Sequence, residues 1–346
     1  MSTDRVAVLG GGAWGTALAL HCARKGHDVL VWAREQEVVD GINIHHENVV
    51  FFKGFTLPDN LRATQDIHAA MVHGELILIV IPTPFVEKVL SQVVDDLNGN
   101  QILCSCTKGI LNETLETPDQ ILKRVLPDKL HDRLAFLSGP SFAAEVAQEQ
   151  PTAVTIASKN ETVAKRVQDL LSTVRFRCYT TDDTVGVEFG GALKNVLAIA
   201  CGISDGLGFG FNARAALMTR GLDELSRLAV KCGANPLTLA GLSGVGDLIL
   251  TCTGDLSRNR TVGVRLGKGE KLKDIQSSMS AVAEGILTSK SAHHLAEKVG
   301  VECHIIEGIY KVIHEGADPL EIVASNMSRP LKPEVSPIIS EAYLHH

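Results

Sequence analysis

At 346 residues the chain is long enough for two domains, each with its own core. Its 33 Lys and Arg against 40 Asp and Glu leave a formal charge of −7, and aromatics make up only 4%. That balance argues against a nonspecific nucleic-acid binder, which needs a basic field and stacking side chains, and it leaves any bound phosphate to be held by local groups.

Val6-Ala7-Val8-Leu9 reads as a strand that breaks into Gly10-Gly11-Gly12-Ala13-Trp14-Gly15. A helical run from Thr16 to Lys25 follows, then a second strand from Asp28 to Trp32. In this order the G-x-G-x-x-G spacing of Gly10, Gly12 and Gly15 predicts a pyrophosphate site. Gly10 permits the tight turn and Gly12 lets the phosphates approach the backbone. Gly15 lets the helix close on the sheet, and the helix N-terminus faces the anion. The same apolar stretch after Arg5 is not read as a signal peptide, because of its glycines, the early Asp4 and the lack of a small-residue cleavage site. No later run is read as long enough for a membrane span. A cytoplasmic location is therefore expected. The second strand ends Val31-Trp32-Ala33-Arg34. Ala33 stands where an NAD-type fingerprint wants an acid for the ribose 2′-hydroxyl, and Arg34 is placed to pair with a 2′-phosphate. The expected cofactor is NADP(H), with NAD(H) tolerated. Glu35 is the residue that works against it.

Further strands are read at Leu76 to Ile81, Ile102 to Cys106, Leu134 to Ser138, Ala153 to Ala157 and Arg175 to Thr180. Helical segments such as Phe85 to Leu97 and Glu161 to Leu171 lie between them. This alternation predicts an α/β fold, a Rossmann-type doubly wound parallel sheet over residues 1–181. Cys104 and Cys106 share a strand face and read as buried small hydrophobes. From Asp182 onward helical patterns dominate. An all-helical domain is expected over 182–335, followed by a tail at 336–346.

One row of the helix after Asp182 reads Gly186, Gly190, Lys194, Ala198, Gly202. Small residues let another body approach the backbone, and a lysine among them points into whatever approaches. Burial would lower its pKa toward the catalytic range. The alternative is a lysine snorkelling at the rim of a helix pair. Gly244-Val245-Gly246-Asp247 sets a carboxylate after glycines, either to pair with a lysine or to cap the next helix. Ser257-Arg258-Asn259 offers a hydroxyl, a guanidinium fork and an amide at a helix start. That is either a phosphate grip or a plain N-cap with solvated charges. The pairs His45-His46 and His293-His294 lack the i, i+4 spacing of two ligands on one helix face, so they read as surface residues and no metal is expected.

Taken together, the landmarks resemble the bacterial NAD(P)-dependent glycerol-3-phosphate dehydrogenases. These are Gly10 to Ala17, Thr107-Lys108-Gly109, Leu137 to Ala143, Gly191 to Asn195, Gly244 to Asp247, Leu256 to Asn259 and Val282 to Gly285. The resemblance runs from about Arg5 to Pro333. It implies that dihydroxyacetone phosphate and glycerol 3-phosphate are interconverted for phospholipid synthesis. Lys194 would be the proton acceptor, with Asp247 beside it. It implies substrate contacts at Lys108, Gly139, Ser141, Lys194, Asp247, Ser257, Arg258 and Asn259. Cofactor contacts are implied at Gly10, Gly12, Ala13, Trp14, Gly15, Arg34, Lys108, Ala143, Arg258, Val282 and Glu284. The partner expected is a small phosphorylated substrate, with a homodimer as the candidate assembly. Two rivals share parts of the pattern: a reductase of the ketopantoate or hydroxyacid type, and a cofactor-sensing protein without turnover.

Overall fold

The computed structural model describes residues 4–279, 283–331, 333–334 and 337–344. Eight strands form one sheet: β1 (Arg5–Leu9), β2 (Asp28–Trp32), β3 (Leu61–Thr64), β4 (Leu76–Ile79), β5 (Ile102–Ser105), β6 (Leu134–Ser138), β7 (Thr152–Ala157) and β8 (Phe176–Thr181). Their order is β3-β2-β1-β4-β5-β6-β7-β8. The pairs β1–β2, β1–β4, β2–β3, β4–β5, β5–β6 and β7–β8 run parallel. The order reverses at β1, between β2 and β4, which is the switch point where a doubly wound sheet opens a crevice at its carboxyl edge. β4 and β5 are buried along their whole length, as central parallel strands covered on both faces should be. β3 is the strand that the sequence reading passes over. It is a four-residue edge strand with Arg62 exposed, so it lacks a continuous apolar run.

The chain packs into two units. The first runs to Thr107 and takes in Pro118–Leu137 and Ser141–Thr184. The second takes Lys108–Thr117, Ser138–Pro140 and the described residues from Val185 on. Two short segments at the ends of β5 and β6 thus pack with the helices. The second unit is built around the helix Thr184–Gly206, which is buried almost all round, as expected of a helix apolar on every face. Its core joins Leu193, Val196, Leu197 and Ile199 to Leu225, Leu228, Leu248, Val262 and Ile286.

That helix corrects one reading of the sequence. Thr184–Gly206 and the stretch Pro236–Thr253 are both apolar and long enough to cross a membrane, each with mean hydropathy 1.3. The first is wholly buried as a core helix. The second is three helical pieces in series: Pro236–Leu239, Leu242–Gly246 and Asp247–Thr253.

Candidate active site

In the first unit the glycine turn leaves β1 and enters the helix Ala13–Arg24. Gly10 sits at φ +129°, where a side chain is strained. A Cβ there would also lie 2.6 Å from the Val80 carbonyl oxygen. Its N–H donates to the Trp32 carbonyl at 3.0 Å, joining the ends of β1 and β2. A Cβ at Gly15 would lie 1.9 Å from the Gly10 carbonyl oxygen, so the helix closes on the turn only because that position is bare. Asn48 braces the turn from a later loop, donating to the Gly11 carbonyl and to the Thr16 hydroxyl, both at 2.8 Å. Gly12 differs from Gly10 and Gly15. It is exposed at the N-cap of the helix, and a Cβ there would meet no protein atom within 4 Å. Its smallness serves no protein contact, which suits a backbone left open for a pyrophosphate. Trp14 adds a buried Nε1–H with no hydrogen-bond partner. The turn therefore fits a dinucleotide.

At the end of β2, Ala33 is buried and offers no acid. Arg34 is exposed and folds back on Glu35, with Nη2 2.8 Å and Nε 3.1 Å from Oε1. The acid next to Arg34 therefore pairs with its guanidinium.

In the second unit the small-residue row does what its spacing predicts. A Cβ at Gly190 would lie 2.3 Å from the Ser243 carbonyl oxygen, and one at Gly202 would lie 2.2 Å from that of Arg260. Two bodies thus approach the helix backbone: the segment Leu242–Gly246 and the helix Arg258–Gly267. Lys194 lies between these contacts and is 6% exposed. Its Nζ donates to Asp247 Oδ1. Lys108 Nζ donates to Asp247 Oδ2 at 3.0 Å and reaches the Gly139 carbonyl oxygen at 3.4 Å. One carboxylate, 1% exposed, thus bridges two lysines. The π-helical turn Leu242–Gly246 runs directly into the helix Asp247–Thr253 and delivers Asp247 at their junction. Thr251 donates to the Asp247 carbonyl at 2.6 Å and stands 3.4 Å from Oδ1.

Burial pushes Lys194 down to about 8. Asp247 pulls the other way, and Lys108 adds like-charge repulsion in the direction of burial. A lysine poised near neutrality, held by a carboxylate and a second cation, can give a proton to a developing alkoxide or take one from an alcohol. Glu284 is partly buried at the start of the helix Glu284–Val299. Desolvation raises its pKa, while Arg258, Lys108 and Lys194 oppose that rise.

The Ser257–Asn259 segment resolves into two kinds of group. Ser257 caps the helix Arg258–Gly267, accepting from Arg260 N at 3.2 Å. The Asn259 amide ties two other helices, donating to Asn195 Oδ1 and accepting from Gly285 N, each at 2.9 Å. Arg258 is exposed at the first helical position. Ser141 and Ala143 belong to the first unit, both half-buried, with Ala143 opening the helix Ala143–Ala147. Val282 lies outside the described residues.

Three polar residues escape the sequence reading. Asn195, next to Lys194, is 4% exposed and its Nδ2 has no hydrogen-bond partner, so a buried donor awaits an acceptor. An asparagine beside a lysine in an apolar helix is its only sequence signal. Thr251 and Asn48 have no local signal at all. The pair His293-His294 is half-buried rather than on open surface. His293 stacks on Tyr310 with ring centroids 4.1 Å apart, because that end of its helix packs on the helix His304–Tyr310.

A Rossmann-type dinucleotide turn and a buried lysine–carboxylate–lysine centre in one chain define a nicotinamide-dependent oxidoreductase. The comparisons with known proteins agree. The profile described as NAD-dependent glycerol-3-phosphate dehydrogenase N-terminus matches residues 5–164, and that described as its C-terminus matches 183–324. The chain belongs to this family. It is 50% identical over 332 residues to the glycerol-3-phosphate dehydrogenase [NAD(P)+] of Myxococcus xanthus, covering 96% of this chain and 99% of that one. The crystal structure of glycerol-3-phosphate dehydrogenase from Coxiella burnetii is 39% identical with a TM-score of 0.88, over 94% of this chain and 99% of that one. A ketopantoate reductase from Ralstonia eutropha, at 14% identity and a TM-score of 0.57, shares the fold alone, over 93% of this chain and 99% of that one.

Proposed function

We propose that this chain interconverts dihydroxyacetone phosphate and sn-glycerol 3-phosphate in an NAD(P)-dependent reaction, and so supplies glycerol 3-phosphate for phospholipid synthesis. The observation that carries the mechanism is the Asp247 carboxylate bridging Lys194 and Lys108. The dinucleotide, when bound, supplies or accepts the hydride. The backbone of Gly10 to Gly15 and the N-terminus of the following helix hold its pyrophosphate, with Ala13 and Trp14 alongside. In reduction, protonated Lys194 faces the C2 oxygen of the substrate as negative charge grows there, and delivers the proton. In oxidation, neutral Lys194 takes the proton from the C2 hydroxyl. Asp247 orients the ammonium. Lys108, with the Gly139 carbonyl, fixes the position of that carboxylate. Arg258 and the N–H groups of the helix it opens hold the substrate phosphate, remote from the reacting carbon. Asn195 offers its unpartnered Nδ2–H to a substrate oxygen.

NADP(H) is the preferred cofactor in this reading, because Ala33 leaves no acid at the ribose and Arg34 is exposed beside it. The Arg34–Glu35 pair is exposed, and such pairs are worth at most about 1 kcal/mol, so a 2′-phosphate can displace Glu35. A cytoplasmic location, read from the absence of a signal-peptide pattern, and a homodimer, the candidate assembly, are part of this proposal.

The test is the loss of reduced-nicotinamide absorbance on adding dihydroxyacetone phosphate, with NADPH and NADH compared on wild type and Arg34→Ala. Turnover with dihydroxyacetone phosphate and a preference for NADPH that shrinks in Arg34→Ala are expected. No turnover sinks the reaction. A preference unchanged by Arg34→Ala sinks the role of Arg34.

A further inference from the structure

The helix Glu284–Val299 carries a second set of functional groups toward its other end. His293 lies nine residues past Glu284, roughly 14 Å along the axis, and takes no part in the lysine centre. One ligand atom each from His293, His294 and Glu297 all lie within 4.8 Å of one another. His293 Nε2 and Glu297 Oε1 are 3.7 Å apart. Tetrahedral ligation at zinc bond lengths sets ligand atoms about 3.3 Å apart, so only small side-chain adjustments separate the observed positions from a coordination sphere. The helix itself makes the convergence. Glu297 is i+4 from His293 and i+3 from His294, the two offsets that bring side chains together on a helical surface.

Packing fixes part of the set in advance. The His293 side chain is 17% exposed. Its ring stacks on Tyr310 at 4.1 Å between centroids with 22° between planes. The His294 ring lies 5.5 Å from that of His293 and 5.7 Å from that of Tyr310. A ring already held in place loses less freedom when it ligates an ion. The surrounding charge is also suitable. Glu297 brings one carboxylate, and Glu307 on the neighbouring helix interacts electrostatically with His293 while paired to Lys311 at 2.7 Å.

We propose that His293, His294 and Glu297 form a binding site for a divalent first-row transition metal, with Zn²⁺ as the favoured ion. Two imidazole nitrogens and one carboxylate oxygen suit such ions and disfavour Mg²⁺ and Ca²⁺, which want oxygen ligands throughout. Three protein ligands leave the remaining positions to water. The site is not part of the hydride chemistry. It clamps the end of the helix whose start carries Glu284.

The experiment is a competition titration of Zn²⁺ against a chromophoric chelator. It uses the full chain with His345→Ala and His346→Ala, so that the terminal histidine pair does not chelate. One Zn²⁺ per chain is expected. His294→Ala and Glu297→Gln should each weaken binding by at least about tenfold, the lower end of the losses seen when a metal site is perturbed. Both variants keep the Tyr310 stack on His293 but lose a ring contact or an ion pair, so the unfolding temperature of each without metal is the baseline for its own Zn²⁺ shift. Zn²⁺ should raise the unfolding temperature of the parent and not that of the variants. Absence of stoichiometric binding, or equal affinity in the parent and both variants, overturns the proposal.

Discussion

The glycine turn and the lysine centre solve opposite problems. The turn works by missing side chains: Gly10 and Gly15 let backbone meet backbone, and Gly12 leaves a helix start uncovered. The centre works by side chains forced together: an almost fully buried carboxylate and two lysines reached from 53 and 139 residues away. A site made of backbone is written in consecutive residues, and an added carbon there strikes the protein at Gly10 and Gly15 or covers the open face at Gly12. A site made of buried charges is dispersed in sequence, and its chemistry depends on what the fold excludes from water. Substitutions should therefore fail differently in the two regions.

The largest effect is expected at the centre. Lys194→Ala removes the proton donor and should lower kcat for dihydroxyacetone phosphate reduction by roughly 10²-fold or more, the scale of lost general acid–base catalysis. Cofactor binding, followed by quenching of intrinsic fluorescence, should change little. Near-wild-type turnover in this variant would break the comparison at its stronger side.

Arg258→Ala comes next. A guanidinium fork on phosphate is directional, so the KM for dihydroxyacetone phosphate should rise by about tenfold or more. Any residual turnover of unphosphorylated dihydroxyacetone should be nearly unaffected. Equal losses on the two substrates would assign Arg258 a general structural role.

The turn allows a sharper, smaller contrast. Gly15→Ala places a Cβ against the Gly10 carbonyl and should cost about 1–3 kcal/mol of stability, the usual range for overpacking. Gly12→Ala meets no protein atom and should shift stability by less than about 0.5 kcal/mol. It should nonetheless weaken cofactor binding by about tenfold, the scale of losing one charge-assisted hydrogen bond. Chemical denaturation together with a cofactor titration separates the two. A Gly12→Ala variant that binds normally would mean the open face is not the pyrophosphate site.

The same contrast explains what was legible in the sequence. The turn could be read whole, because its strand, glycines and helix are contiguous. The position of Lys194 in a small-residue row was legible too, and the approaching backbones of Ser243 and Arg260 are where that row predicts. What was not legible was the partner. Asp247 had two readings, lysine partner or helix cap, and nothing local chose between them. In the fold it bridges two lysines, and its side chain makes no cap hydrogen bond to the helix it begins. Ser257 likewise had two readings, and its hydroxyl caps the helix. The strand Leu61–Thr64 was missed because an edge strand of four residues with a charge at its second position carries almost no periodic signal. The helices Asp247–Thr253 and Pro319–Met327 also carry a weak periodic signal. The first follows a π-helical turn that breaks the 3.6-residue period, and the second has no fully buried residue to mark a face. The membrane-length helix Thr184–Gly206 shows the converse case. Its composition alone cannot separate a protein core from a lipid one, and its complete burial does.

The central claim is that burial, held in balance by Asp247, brings Lys194 to about 8 so that it can move a proton. The most direct measurement is kcat/KM for dihydroxyacetone phosphate reduction between about pH 6 and pH 10, which reports the free enzyme's essential groups. Reduction needs the protonated amine, whose population falls as pH rises through the folded pKa. The account predicts a plateau below about pH 7.5 and a tenfold fall per pH unit above about pH 8.5, with that limb absent from the residual activity of Lys194→Ala. A profile flat to pH 10 in the wild type, or the same falling limb in Lys194→Ala, would contradict it.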